Sequence, residues 1–381
     1  MARPAGGGQT RFSFSRWLGI LIKEFIQLKR DRLTFGMIVG IPIMQLMLFG
    51  FAINSDPRNL PTAVVMADPG PFSRAYLAAM RNSDYFRIVG SVDAREADRL
   101  LDRTEVQFVI TFPAGFNRDL VRGKSPVVLV EADASDPMAV SGAISVLNHL
   151  GTEVFAPDLP GVQAHAMPPV ELRVHRRYNP ENVTAYNIVP GLLGVILTMT
   201  MIMMTGLAMT RERERGTFEN LLSTPATPVE VMTGKIVPYI LIGLVQVTLI
   251  LLAARWIFEV PMLGSLIVLY AVVLLFISAN LTLGITFSSI ARNQLQAMQM
   301  TFFFFLPSML LSGFMFPFRG MPEWAQALGN VLPLTHFLIL VRGILLKGVG
   351  PGALWPHIWP ILLFMGVVLG LGLKTFRRTL D

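Results

Sequence analysis

Residues Ala185–Lys235 read AYNIVPGLLGVILTMTMIMMTGLAMTRERERGTFENLLSTPATPVEVMTGK. The first half, through Thr210, carries no charge, and the ionic second half ends where another charge-free run, Ile236–Ala254, begins. A helix needs about 20 apolar residues to cross the hydrocarbon core, because every backbone N–H and C=O there must be satisfied within the segment itself. The pattern therefore predicts two membrane-spanning helices joined by a short charged hairpin.

The rest of the chain repeats this alternation. Its 381 residues are 52% hydrophobic and 15% charged, with a mean hydropathy of +0.54, a composition a water-soluble fold could not bury. Six crossings are expected: residues 33–53, 185–210, 236–254, an apolar segment between Glu259 and Arg292, Asn293 to Phe318, and a last one around HIWPILLFMGVVLGLGL (357–373). The first is too long and begins too late for a cleaved signal. Six crossings put both termini on one side. Arg3, Arg11, Arg16, Lys23, Lys29, Arg30 and Arg32 precede the first span; Arg211, Arg213, Arg215 and Lys235 follow the second; Lys374, Arg377 and Arg378 end the chain. Such basic flanks mark the cytoplasmic side.

Ahead of the first span, residues 1–32 hold a tail and an amphipathic stretch, with Trp17, Ile20, Leu21, Phe25 and Leu28 opposed by Lys23, Lys29 and Arg30. Either it lies in the membrane interface or it continues into span one. Residues 54–180 read as a small α/β domain on the outer face. Strands are expected at PTAVVMA (61–67), YFRIVG (85–90), VQFVITF (106–112) and PVVLVEA (126–132), and helices at 71–82, 93–103 and 138–155. Residues 236–374 hold the remaining spans, 375–381 a cytoplasmic tail. The stretch at about 319–346 is too broken by Gly and Pro for a clean crossing.

The hairpin has internal order. Phe218, Leu221 and Leu222 fall on one helical face, Arg215 and Glu219 can pair across a turn, and Pro225 and Pro228 stop that helix before a second one leads through Gly234 and Lys235 into the next span. Gly216 interrupts a good helix, which suits a break or a close backbone approach. A stiff elbow of this kind can pass a partner's movement to the spans it joins.

The run Arg211, Glu212, Arg215, Gly216, Thr217, Glu219, Leu221, Pro225, Gly234 and Lys235 resembles the cytoplasmic signature of type 2 ABC transporter permeases. So does the layout: interfacial helix, one span, large external domain, five further spans. The resemblance implies that this segment is the coupling helix seated on an ATPase subunit, and that 319–346 forms short re-entrant helices on the outer side. It implies two cytoplasmic ABC ATPase subunits that bind ATP and Mg, a second permease, identical or homologous, and a bacterial inner-membrane setting with an optional periplasmic adaptor. Its substrates would be amphipathic small molecules, drugs or lipid-like compounds.

The chain itself carries no nucleotide-binding loop. Its GKS at Gly123, Lys124 and Ser125 has Arg118 where the phosphate cradle requires glycine. There is no cysteine, and the five histidines show no metal-ligand spacing, so neither cofactor nor metal is expected in this chain. Basic residues flank spans instead of interleaving with exposed aromatics, which argues against nucleic acid. The span interiors hold neutral polar groups and no carboxylate, unlike ion-coupled carriers or intramembrane enzymes. Gln246, Asn280 and Gln299 either glue helices or line a translocation path. Phe302 to Phe305 and Met199 to Met204 either face lipid or build a dimer seam or export groove. Glu131, Asp133 and Asp136 are either helix caps or a cation site. A membrane-anchored receptor or scaffold with an external sensing domain is the alternative; it leaves five spans and the hairpin unexplained.

Overall fold

The computed structural model describes residues 58–135, 137–155, 169–181, 183–214 and 228–377. The N-terminal amphipathic stretch, the first expected span and the centre of the hairpin lie outside them.

The α/β domain is built on a five-stranded sheet. Its strands are β1 (Leu60–Met66), β2 (Phe86–Ser91), β3 (Phe108–Phe112), β4 (Val127–Asp133) and β5 (Glu171–Arg177), in the order β2-β1-β3-β4-β5. All neighbours are parallel except β3 and β4. Helices α1 (Pro71–Asn82), α2 (Ala94–Asp102), α3 (Phe116–Val121) and α4 (Pro137–Glu153) connect them. The four expected strands and three expected helices are present. The period of two sorts the side chains: Leu60 and Val64 of β1 join Phe108, Ile110 and Phe112 of β3 in a core covered by α1, α3 and α4. Ala63 and Val109 face the other way, onto Ala97 and Leu101 of α2. Within the larger core the Tyr76 hydroxyl donates to the Leu147 carbonyl (2.8 Å), and burial pushes its pKa up. α2 begins where Asp93 accepts from the Glu96 amide at 2.7 Å. Two elements escape the sequence patterns. α3 is a six-residue helix, and β5, ELRVHRR, alternates exposed and half-buried positions as a charged edge strand does.

Four described helices contain segments long and apolar enough to cross a membrane: Thr184–Arg211, Val237–Trp256, Leu266–Ile290 and Pro351–Gly372. They belong to α5 (Thr184–Glu214), α6 (Pro228–Trp256), α7 (Leu266–Ile290) and α11 (Pro351–Arg377). α9 (Glu323–Val331) and α10 (Pro333–Arg342, prolonged by a wide turn to Lys347) form a pair bent by 84°, which adds a fifth crossing if counted as one span. The segment expected as a crossing from Asn293 to Phe318 is helical over a shorter range, α8 (Gln294–Leu311). Its start carries Gln294, Gln296 and Gln299, and Gly313 at φ +81° follows its end. Prolines 190, 238, 307, 356 and 360 sit inside helices, as neighbouring membrane helices permit.

α7 is the hub, packed against α5, α6, α10 and α11. Phe276 of α7 stacks on Phe337 of α10 with ring centroids 3.9 Å apart. Gly284 lets α7 meet α5 backbone to backbone: a Cβ there would lie 2.6 Å from the Ile202 carbonyl and collide with the Thr205 hydroxyl. Hydroxyls within these helices bond carbonyls one turn back, as Thr198 to Gly194 (2.8 Å) and Thr282 to Ser278 (2.8 Å), so they add no unmet polar group to an apolar setting.

The sheet domain and the helical part meet at a small polar junction. Lys347 is buried there, its side chain 2% exposed. It donates to Asp133 (2.5 Å, side chain 4% exposed) and to the Thr104 hydroxyl (2.7 Å), with Nζ 4.8 Å from the centre of the Tyr178 ring. Thr104 also offers its carbonyl to Arg319 Nη2 at 3.1 Å. To present both groups it adopts φ +61°, which a β-branched residue rarely does. Tyr178, at φ +68°, donates to Asp102 at 2.5 Å; burial first, then that carboxylate, push its pKa up.

Candidate functional site

α5 runs without interruption from the end of the sheet domain to Glu214, so the hairpin begins as a rigid prolongation of a span. Arg211 and Glu214 are exposed at that end, with Glu212 between them in the same helix. Arg215, Gly216, Thr217, Glu219, Leu221 and Pro225 lie outside the described residues. Gly234 and Lys235 fall on α6, which is helical from Pro228, the first described residue after the centre of the hairpin, in line with the second helix expected there. The hairpin's two described ends are thus continuous with the helices they serve.

Glu214 grips the start of α8. The Gln294 amide donates to its Oε1 at 2.8 Å, and Gln294 Nε2 donates to its Oε2 at 2.5 Å. Arg211 Nε reaches Gln294 Oε1 at 3.4 Å. A carboxylate there meets the unpaired amides and positive end of the helix dipole. The Asn293 side chain accepts from the Gln296 amide and the Gln296 side chain from the Arg292 amide, each at 2.8 Å, a reciprocal cap on the same turn. Sequence spacing carries the Asn293–Gln296 cap. The Glu214–Gln294 clamp joins residues eighty positions apart and leaves no local signal.

The hydrogen bonds from Gln294 hold the Glu214 carboxyl below its ordinary pKa. Because the folded value is the lower one, the clamp's stabilisation is present above the ordinary glutamate range and is lost as pH falls through the folded value. Glu214→Ala should speed hydrogen exchange at the first turn of α8 at neutral pH while leaving exchange in the middle of α7 unchanged. Equal exchange in both proteins would show that the clamp does not order that turn.

The mid-span polar residues take different positions. Gln246 of α6 is half-buried and accepts from the Thr200 hydroxyl of α5 at 3.0 Å. Asn280 of α7 is fully buried; its Nδ2 donates to the Phe276 carbonyl at 2.9 Å, and its Oδ1 has no partner among the described residues. Among the described residues, Gln299 Oε1 on α8 and Asn187 Oδ1 on α5 are likewise buried and without a partner. These unmet acceptors stand on helices that pack against one another. Phe305 lies inside the main apolar cluster and Phe302 packs against it, so both hold helices together within the chain. Met201 is buried and Met204 exposed.

In the sheet domain, Asp133 accepts from the amide (3.1 Å) and hydroxyl (2.6 Å) of Ser135 besides binding Lys347. Glu131 pairs with Arg177 at 2.8 Å, and Asp136 lies outside the described residues. Among the described residues no cluster could hold a metal ion. Gly123, of the GKS run, sits at φ +70° in the turn after α3.

A multi-pass helical body, a sheet domain ahead of α5, and two spans prolonged toward one charged segment are the layout of a membrane transport subunit. The family model described as ABC-2 family transporter protein matches residues 32–374, and the chain belongs to that family. It is similar to the probable multidrug ABC transporter permease YbhR of Escherichia coli K12, 27% identical over 366 residues, covering 96% of this chain and 99% of that one. YbhS, another probable multidrug ABC transporter permease of that strain, is 28% identical, covering 96% and 98%. The inner membrane transport permease YhhJ, also from that strain, is 32% identical over 293 residues, covering 76% and 78%. The chain is therefore a multi-pass transport permease; members of its family are the membrane subunit and work with cytoplasmic ATPase subunits. This does not favour the receptor or scaffold alternative.

Proposed function

We propose that the chain is the permease of an exporter that moves amphipathic small molecules, drugs or lipid-like compounds, out of the cytoplasm or inner leaflet, powered by two cytoplasmic ABC ATPases that bind ATP and Mg. It crosses the inner membrane six times with both termini cytoplasmic and the sheet domain outside. It pairs with a second permease, identical or homologous, and an adaptor can engage the sheet domain. The hairpin residues Arg211 to Lys235 dock on the ATPase, the bent α9–α10 pair is re-entrant, and Gln246, Asn280 and Gln299 face the path when the spans rearrange.

The observation that carries this reading is that α5 is helical to Glu214 and α6 from Pro228, so the described ends of the charged segment belong to two spans and a force on them acts as on levers. That the relatives YbhR and YbhS are named as multidrug permeases supports the substrate class. Co-expression with its ATPase should yield a complex that accumulates an amphipathic dye in inside-out vesicles only when ATP is hydrolysed. Transport by the purified chain alone, or labelling of the hairpin from the outer side of intact cells, would sink the reading.

A further inference from the structure

The junction between the sheet domain and the helices encloses a cavity of about 350 Å³, outside the hairpin and the mid-span polar groups. Its lining includes Arg319, Arg342 and Lys347, with Asp133 as the lone carboxylate. Lys347 and Asp133 neutralise each other in their buried pair, so the lining offers Arg319 no carboxylate of its own. Arg319 is half-buried. Among the described residues its one hydrogen bond goes to the Thr104 carbonyl, and no carboxylate lies within ion-pair distance. Burial, and secondarily Arg87, lower its pKa, the mark of a cation whose desolvation is not fully compensated.

Gln107 supplies the second observation. It is 9% exposed at the cavity wall, its Oε1 is buried without a partner, and among the described residues its side-chain amide makes no hydrogen bond at either end. A buried amide oxygen left unmet is destabilising unless something fills the site. Pro317, Phe318 and Ile339 add apolar wall. Under-compensated guanidinium, idle amide and apolar wall together match a small anion with further polar groups, and the space is that of a headgroup.

We propose that this cavity binds a phosphate ester bearing net negative charge, with Arg319 contacting the phosphate and Gln107 an adjoining polar group. Anionic phospholipid headgroups of the adjacent leaflet and soluble phosphate esters share this chemistry. The inference goes beyond the transport reading and stands on the junction alone.

The test uses the purified full chain in a neutral detergent, with native mass spectrometry and thermal unfolding as readouts. Separate arms add phosphatidylglycerol, sn-glycerol 3-phosphate and phosphatidylcholine. Phosphatidylglycerol, the soluble ester, or both should bind and raise the melting temperature, and which arm responds identifies the source. Arg319→Gln should weaken binding at least about tenfold and Gln107→Leu several-fold. No binding by either anion, binding of phosphatidylcholine as tight as that of phosphatidylglycerol, or unchanged affinity in Arg319→Gln would overturn the proposal. Should Arg319→Gln fail to insert, Gln107→Leu and the wild-type comparison of anionic with zwitterionic lipid decide it.

Discussion

Glu219→Ala and Gly216→Pro are each expected to abolish substrate-stimulated ATP hydrolysis and transport in a reconstituted permease–ATPase complex while the chain still inserts. α5 is helical through Glu214 and α6 from Pro228, the described residues on either side of the elbow. Whatever binds the elbow between them acts on rigid elements. On the proposed docking Glu219 makes a charged contact with the ATPase that alanine removes, and proline at 216 removes an amide and fixes φ where glycine leaves it free. Coupling between sites typically amounts to about 1–3 kcal/mol, or roughly 5–150-fold, so losing it drops stimulated turnover to the basal rate. Normal stimulation with either change would refute the coupling assignment.

Lys347→Met is expected to be the most damaging single change for stability. With its side chain 2% exposed and its ammonium shared among Asp133, Thr104 and Tyr178, Lys347 is the counter-charge that lets Asp133 stay buried. Removing one partner of a buried pair typically costs about 3–5 kcal/mol, whereas replacing both with apolar groups is often neutral. The single variant should therefore melt on the order of 10 °C lower, and Asp133→Leu combined with Lys347→Met should recover most of the loss. A single variant that melts with the wild type would show that the junction is not held by this pair, and a double variant worse than either single would show that the two charges act independently. The residues of the pair are 214 positions apart in the chain. It pins the end of the bent α9–α10 pair to the sheet domain, so movement of one is passed to the other.

Much of the architecture was legible in the residues. The period of two in VQFVITF and the charge-free length of Ala185–Thr210 each have one cheap solution, a half-buried strand and a membrane helix. Elements without such a signal were missed or misjudged. β5 is a charged edge strand whose place is set by pairing with β4, and α3 has six residues. α8 is shorter than its apolar run because a glycine at positive φ ends it. The site divides the same way. Sequence order marks Arg211 to Lys235, since contiguous residues form that motif, but it is silent on Glu214 reaching Gln294, on Lys347 reaching Asp133, and on the idle amide of Gln107.

The sequence by itself determined that this chain lives in a membrane, that a sheet domain interrupts it, and that a charged segment joins two of its spans. Those properties follow from hydrophobicity and period, which are local. The tertiary structure alone decided how the sheet domain is locked to the helices, which polar groups meet a partner, and where a charged cavity is left between the two parts. Contacts between residues two hundred positions apart depend on how whole elements pack, and no window of sequence contains them.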